Sequence, residues 1–355
     1  MNTQSVAEPP KNRQNGSVYA LLRHWYFLIH ATLWLSGAFI RAAWYFKTRA
    51  IRDLQLPHPE SLTSKEKRRL QHYFYGTTYL SIVFCSLRGR TRSPDEKNLF
   101  SNLAALAYFF DDLADVYHNQ DQSGQQWQDN PEMYGQATDP RGLALHFLQN
   151  INAALPDQDQ REFKKYMHRV FNVETEGRQI SGIGFNTKEL DQIAADKGGY
   201  SVLMFRRILA NTLSEAEKHA LYKLGHLIQT CDDIFDVWFD QKDGIKTLPL
   251  ALLEAGNITA LKLRFEQLVA ETYRAFMQVR PEKISRWRYL GLRHARTSWA
   301  VVHYLVTVTR VCLHHYQNLQ KKHGTLPLTD RHQIVVDMER WDNRFKSVFY
   351  LIART

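Results

Sequence analysis

Apolar residues recur at three- and four-residue intervals over most of this chain, as in Leu103, Leu106, Phe110, Leu113 and Tyr117. That repeat turns one face of an α-helix toward a core. Alternating β-branched runs of the kind that make strands are few. From Ser64 onward the pattern is interrupted at "RGRTRSPDE", "QDQSGQQWQDNPEMYGQATDPRG", "EGRQISGIGFNT", "KDGIKTLP" and near Pro281, where Gly, Pro and polar residues punctuate the helices. The pattern predicts an all-α body of about eight to ten helices of ordinary length. No repeat of solenoid period is present.

Residues 1–17 are polar and contain Pro9, Pro10 and Gly16, which predicts a flexible tail without a signal-peptide cleavage pattern. The run "WYFLIHATLWLSGAFI", Trp25 to Ile40, follows it, flanked by Arg23, His24, Arg41, Lys47, Arg49 and Arg52. It is shorter than the ~20 residues that a membrane span needs, and His30 interrupts it. Two readings stand: a helix lying in a membrane interface, which aromatic ends and basic flanks favour, or a core helix covering the main body. The organisation expected is a tail and N-terminal helix over residues 1–52 and a helical domain over 53–355.

Composition narrows the function classes. The chain is 44% hydrophobic and 23% charged, ordinary for a globular protein. Its formal net charge of +10 fits nucleic acid, an anionic membrane surface or a polyanionic small substrate. Nucleic acid is disfavoured, because the basic residues are scattered through apolar helical patterns without a reader signature. Cys85, Cys231 and Cys312 lie far apart with no CxxC pair, so neither a disulfide framework nor a zinc site is expected. The setting this implies is reducing and cytoplasmic, with membrane association resting on the N-terminal helix.

Two acidic clusters break the apolar pattern. In "AYFFDDLADVYHN", Asp111, Asp112 and Asp115 occupy adjacent positions on one helical face. In "QTCDDIFDVWFDQKDGIKTLPLAL", Asp232, Asp236 and Asp240 are spaced by four, with Asp233 three before Asp236. Like charges at that spacing repel, and carboxylates among Phe109, Phe110, Phe235, Trp238 and Phe239 need protons or a cation to offset the repulsion. Either cluster alone reads as a solvated helix face. Two of them, both embedded in aromatic residues, read as a cage for a divalent cation, and hard oxygen donors with positions left for water and phosphate suit Mg²⁺.

Around these clusters the sequence resembles the squalene/phytoene synthase family of class I isoprenoid synthases, over roughly residues 65–300. "LGHLIQTCDDIFDVWFDQKDGIKTLPL" is similar to the family's second signature, with Gln229, Asp232, Asp236, Val237, Asp240, Gly244, Leu248 and Pro249 in unbroken register. "YGTTYLSIVFCSLRG" followed by "NLAALAYFFDDLADVY" is similar to the first. "DKGGYSVLMFRRIL" stands where the family has a helix break, with Gly198 and Gly199 as its small residues. Tyr108 replaces an arginine that usually precedes the first aspartate, and Ile193 lies near the place of a usual tyrosine. Lys197 resembles the diphosphate-binding lysine of the linear prenyl diphosphate synthases, whose arginine pair after the first cluster is absent here.

The resemblance implies a single helical bundle around an apolar cavity. It implies Mg²⁺ held by Asp111, Asp112 and Asp115 on one side and Asp232, Asp233, Asp236 and Asp240 on the other, with Asp111, Asp112, Asp115, Asp232 and Asp236 catalytic. Expected substrate contacts are Arg178, Lys197, Arg206, Arg207, Gln229, Lys246, Phe109 and Phe235. Phe110, Phe205 and Tyr304 are further wall candidates that would shield a carbocation. The activity implied is head-to-head condensation of two prenyl diphosphates of the farnesyl or geranylgeranyl class. The alternatives are cyclisation of a single prenyl diphosphate, and a non-catalytic relative that binds or assembles.

Overall fold

A computed structural model describes residues 18–54, 62–118, 140–180, 186–209, 212–279 and 294–336. Every regular element among them is helical, and no strand occurs among them. The helices are α1 (Val18–Tyr45), which passes through a π-helical turn (Phe46–Ala50) into α2 (Ile51–Asp53), then α3 (Ser64–Leu87), α4 (Pro94–His118), α5 (Pro140–Ala154) and α6 (Asp157–Ile180). After these come α7 (Thr187–Arg206), α8 (Glu215–Phe235), α9 (Val237–Asp243), α10 (Leu248–Glu254), α11 (Ile258–Gln278), α12 (His294–His323) and α13 (Arg331–Ile334). Nine of these are fifteen residues or longer, in keeping with the count expected from periodicity. The interruptions foreseen between residues 120 and 142 and near Pro281 fall largely or wholly outside the described residues.

Local chemistry starts the helices where the pattern does. Thr63 and Glu66 form a reciprocal capping box at α3, and Asn186 and Glu189 form one at α7; each satisfies backbone donors that the first turn leaves open. Ser214 and Asn257 cap α8 and α11 through their side-chain oxygens. The apolar faces then close on one another: α7 packs on α6 and α8, α8 on α11 and α12, and α4 on α3 and α5. Helix α3 touches α1, α4, α7 and α12 and so joins the two sides. All three cysteines are free and buried.

One expectation is overturned. Helix α7 runs unbroken from Thr187 to Arg206, through Gly198 and Gly199. These glycines mark a backbone contact instead of a break: a Cβ on Gly198 would lie 2.1 Å from the Gly225 carbonyl oxygen, and one on Gly225 would lie 2.1 Å from that of Gly198. Only residues without a side chain let α7 and α8 approach so closely.

At one end of the bundle a buried ionic clasp gathers four helix ends. Arg88, just after α3, donates to Glu217 in the first turn of α8 at 3.0 Å, and Arg90 is paired with Glu96 in the first turn of α4. Arg206, the last residue of α7 and 1% exposed, donates to the other Glu217 oxygen at 2.7 Å. Helices α4 and α8 therefore both depart from this clasp. Asp111 stands 17 residues beyond Pro94 and Asp232 stands 17 residues beyond Glu215, about 25 Å along each helix.

The inner face of α1 belongs to the core. Ala31, Leu35, Ala38 and Phe46 are buried, and Phe39 and Phe46 meet Tyr75 and Phe74 of α3 edge to face. No helix among the described residues is long and apolar enough to cross a membrane.

Candidate functional site

The second acidic cluster sits on a kinked but continuous helical path. Asp236 leaves helical geometry between α8 and α9 (φ −93°, ψ 7°), yet its N–H still reaches the Asp232 carbonyl at 2.9 Å. The Asp240 N–H reaches the Asp236 carbonyl at 2.8 Å. The i,i+4 register thus survives the kink and keeps Asp232, Asp236 and Asp240 on one face. Gly244, with φ +73°, ends α9 in a left-handed cap that few other residues adopt. Tyr316 of α12 pins the path from below by donating to the Ile234 carbonyl at 2.7 Å.

The four carboxylates differ in surroundings. Asp232 is exposed, Asp233 is buried, and Asp236 and Asp240 are half-buried. Asp233 accepts from the Gln229 amide at 2.8 Å, and Asp240 from the Thr247 hydroxyl at 3.1 Å. Burial, with Asp232 and Asp240 adding repulsion, pushes Asp233 up to about 8, although Gln229 and Lys197 oppose it. Burial and Asp232 push Asp236 up to about 6. Burial, Asp236 and Asp232 push Asp240 up to about 7 against the Thr247 hydrogen bond.

Lys197 supplies the opposing charge. Its ammonium lies 2.8 Å from Glu174 of α6. Burial by itself would lower its pKa, but Glu174, Asp233 and Asp232 outweigh burial and hold it above the ordinary lysine value. α7 thus presents one cation that is paired with Glu174 of α6 and interacts electrostatically with the aspartates along α8 and α9. Among the described residues no three His, Cys, Asp or Glu side chains converge as a ready metal sphere: Asp233 is turned into Gln229 while Asp232 faces solvent.

The other expected site residues divide. Asp111, Asp112 and Asp115 lie on the helical backbone of α4 and Arg178 on the last turn of α6; their side chains lie outside the described residues. Gln229 joins the site by holding Asp233. Phe110, Phe205, Phe235 and Tyr304 are half-buried against the core, and burial raises the Tyr304 hydroxyl to about 12.

Three expected contacts need correction, and a fourth residue, Lys246, is paired with another partner. Arg206 is locked in the clasp on Glu217, which precedes Asp232 by 15 residues of α8, about 22 Å along the helix; a guanidinium buried there cannot reach the aspartates. Arg207 is engaged with Glu162 and Asp159 at the start of α6 and stacks over Tyr166. Phe109 is buried between α4 and α5, stacked on Phe147 at 5.9 Å, so it packs helices together. Lys246 is near Asp240 in sequence, yet its ammonium is held by both oxygens of Glu254 at 2.8 Å.

Glu174, Thr247 and Tyr316 were not foreseen. Glu174 lies four residues before Arg178 on α6, a spacing that shares a helix face and is the signal that points to it. Comparison of the chain with protein-family models, with curated proteins and with solved structures finds no match in any of the three.

Proposed function

We propose that this chain is a Mg²⁺-dependent enzyme that ionises an allylic prenyl diphosphate and joins two such molecules head to head, in the manner of the squalene/phytoene synthases. The observation that carries the reading is the excess of carboxylates around Lys197. Glu174 holds the Lys197 ammonium at 2.8 Å, Asp232, Asp233, Asp236 and Asp240 lie within electrostatic reach of it, and the last three have proton affinities raised above an ordinary aspartate. Such a group gains stability by taking up cationic charge.

The donor set is oxygen alone, which suits a hard cation. Mg²⁺ keeps waters and substrate oxygens in most of its positions. Asp232, Asp236 and Asp240 would hold it from α8 and α9, with Asp111, Asp112 and Asp115 of α4 as the second set. When bound it supplies positive charge to the departing diphosphate oxygens. Lys197 donates to the same oxygens, and Glu174 keeps that ammonium charged and in place. Gln229 fixes Asp233, while Phe110, Phe235 and Tyr304 offer aromatic faces to the hydrocarbon cation. Peripheral contact with a bilayer through α1 belongs to the same proposal, since substrate and product are both lipids.

Cyclisation of one prenyl diphosphate is the second reading. It is favoured by Tyr108, which occupies the place of the family's arginine and is buried against Tyr73 and Phe109 with the Arg69 guanidinium 5.4 Å from its ring.

Thermal melts with ligands test the site shared by both readings. Mg²⁺ alone should raise the melting temperature slightly. Mg²⁺ with inorganic diphosphate should raise stability by about 2.7 kcal/mol at a hundredfold excess over Kd. Asp236→Asn and Lys197→Met should each remove the larger shift. An equal shift in both variants, or none in the wild type, speaks against the site.

A further inference from the structure

The outward side of α1 carries a row of exposed apolar residues. Ile29, Leu33, Ile40 and Trp44 are 56%, 69%, 70% and 59% exposed, and their spacings of four, seven and four residues place them within roughly 60° of one another around the helix. They make up four of the eight large hydrophobic residues found exposed among the described residues, so this is a patch rather than the scatter that any surface shows. Over the described side chains the opposite side is buried, with Ala31, Leu35 and Ala38 of α1 and Phe46 of the following π-helical turn in the core. Core packing therefore does not explain the outer stripe.

The rim of the stripe is cationic. Arg41, Lys47 and Arg49 are exposed, and the Arg49 guanidinium lies 5.8 Å from the centre of the Trp44 ring. Arg52 is exposed as well, and its neighbour Asp53, 3.4 Å away, is the acid paired with it.

We propose that this face of α1 docks on an anionic lipid bilayer, with Ile29, Leu33, Ile40 and Trp44 entering the acyl boundary and Arg41, Lys47 and Arg49 meeting the headgroups. A helix lying in the interface takes this form, with apolar side chains below and basic ones at headgroup level. Tryptophan at the boundary is a usual anchor. A second copy of the chain is a poorer occupant, because a two-fold contact through this stripe sets the same cationic rim against itself. The inference rests on the membrane contact proposed above and specifies the face and the lipid charge; it does not depend on the reaction.

The test is co-sedimentation of the full chain with vesicles of phosphatidylcholine alone and of phosphatidylcholine enriched in phosphatidylglycerol. The wild type should partition at least about tenfold more strongly to the anionic vesicles, and less so as salt rises. Leu33→Glu combined with Ile40→Glu should reduce binding at least about tenfold while the melting temperature stays unchanged. If that pair lowers the melting temperature, Ile29→Gln with Trp44→Gln replaces it. Neutralising Arg41, Lys47 and Arg49 to Gln should weaken binding to anionic vesicles by roughly fivefold per charge. Absence of wild-type binding, or binding indifferent to the apolar variants, overturns the proposal. So does a self-association that those variants abolish in a protein that ignores vesicles. None of these readouts involves turnover, so a failed docking face and a failed catalytic site are told apart.

Discussion

A single methyl group at Gly198 should force apart the two helices that carry Lys197 and the aspartates. In an exposed helix, Gly→Ala is worth about 0.5–1 kcal/mol of added stability, because alanine loses less backbone freedom on folding. At Gly198 the added Cβ would lie 2.1 Å from the Gly225 oxygen, 2.6 Å from its carbonyl carbon and 2.8 Å from the Gln229 Cβ. The first two are backbone atoms that no rotamer change can move, so α7 and α8 must separate by about 1 Å, at the upper end of the roughly 1–3 kcal/mol that overpacking costs. The net expectation for Gly198→Ala is a loss of about 2 kcal/mol, or roughly 3 °C in melting temperature for a chain of this size. Gly76→Ala is the matched control: Gly76 lies inside α3 with nothing within 4 Å of an added Cβ, so it should gain about 0.5–1 kcal/mol. Urea unfolding of the two variants beside the wild type gives both signs at once. A Gly198→Ala protein as stable as the wild type would show that the helix contact is not as close as argued here.

Two further outcomes follow from the charged groups. In EDTA, Asp233, Asp240 and Asp236 titrate at about 8, 7 and 6 in the folded chain and near ~3.9 when unfolded, so the folded state binds more protons between those values. Stability should therefore fall as pH rises from about 4 to about 8, and Asp233→Asn should flatten that slope. At the acid end Asp191, held down at about 2 by His226 and Arg264 despite its burial, loses its contribution as pH drops from ~4, so urea midpoints should peak near about pH 4. Arg206→Met should cost about 3–5 kcal/mol by leaving Glu217 short of a buried partner. The same variant, measured below its melting point, should keep the diphosphate-induced shift; loss of that shift without loss of stability would return Arg206 to the site.

The all-helical class was legible because a 3.6-residue repeat needs no tertiary information, and the capping boxes at Thr63 and Asn186 mark where two helices begin. The spacing of Asp232, Asp236 and Asp240 was legible for the same reason, even across the kink. What sequence could not show was pairing over distance. Arg206 and Arg207 read as diphosphate contacts until Glu217, Glu162 and Asp159 are folded onto them, and Glu174 shows no role until α6 brings it to Lys197. Gly198 illustrates the other difficulty. A glycine pair inside a helix reads as a break, and only the partner helix shows it to be a contact. The N-terminal run gave two readings because its two faces do different things, the inner one joining the core and the outer one staying apolar in solvent.

The central claim is ionisation of an allylic diphosphate at the Lys197 and aspartate site, and product analysis tests it most directly. Purified full-length protein is incubated with Mg²⁺ and farnesyl or geranylgeranyl diphosphate, and released diphosphate and extracted hydrocarbon are both measured. The account predicts diphosphate release that Asp232→Ala and Asp236→Ala abolish, together with a hydrocarbon of twice the substrate's carbon number. A product of undoubled carbon number would move the reading to cyclisation with the same site intact. No diphosphate release from either substrate by folded wild-type protein would contradict the claim itself.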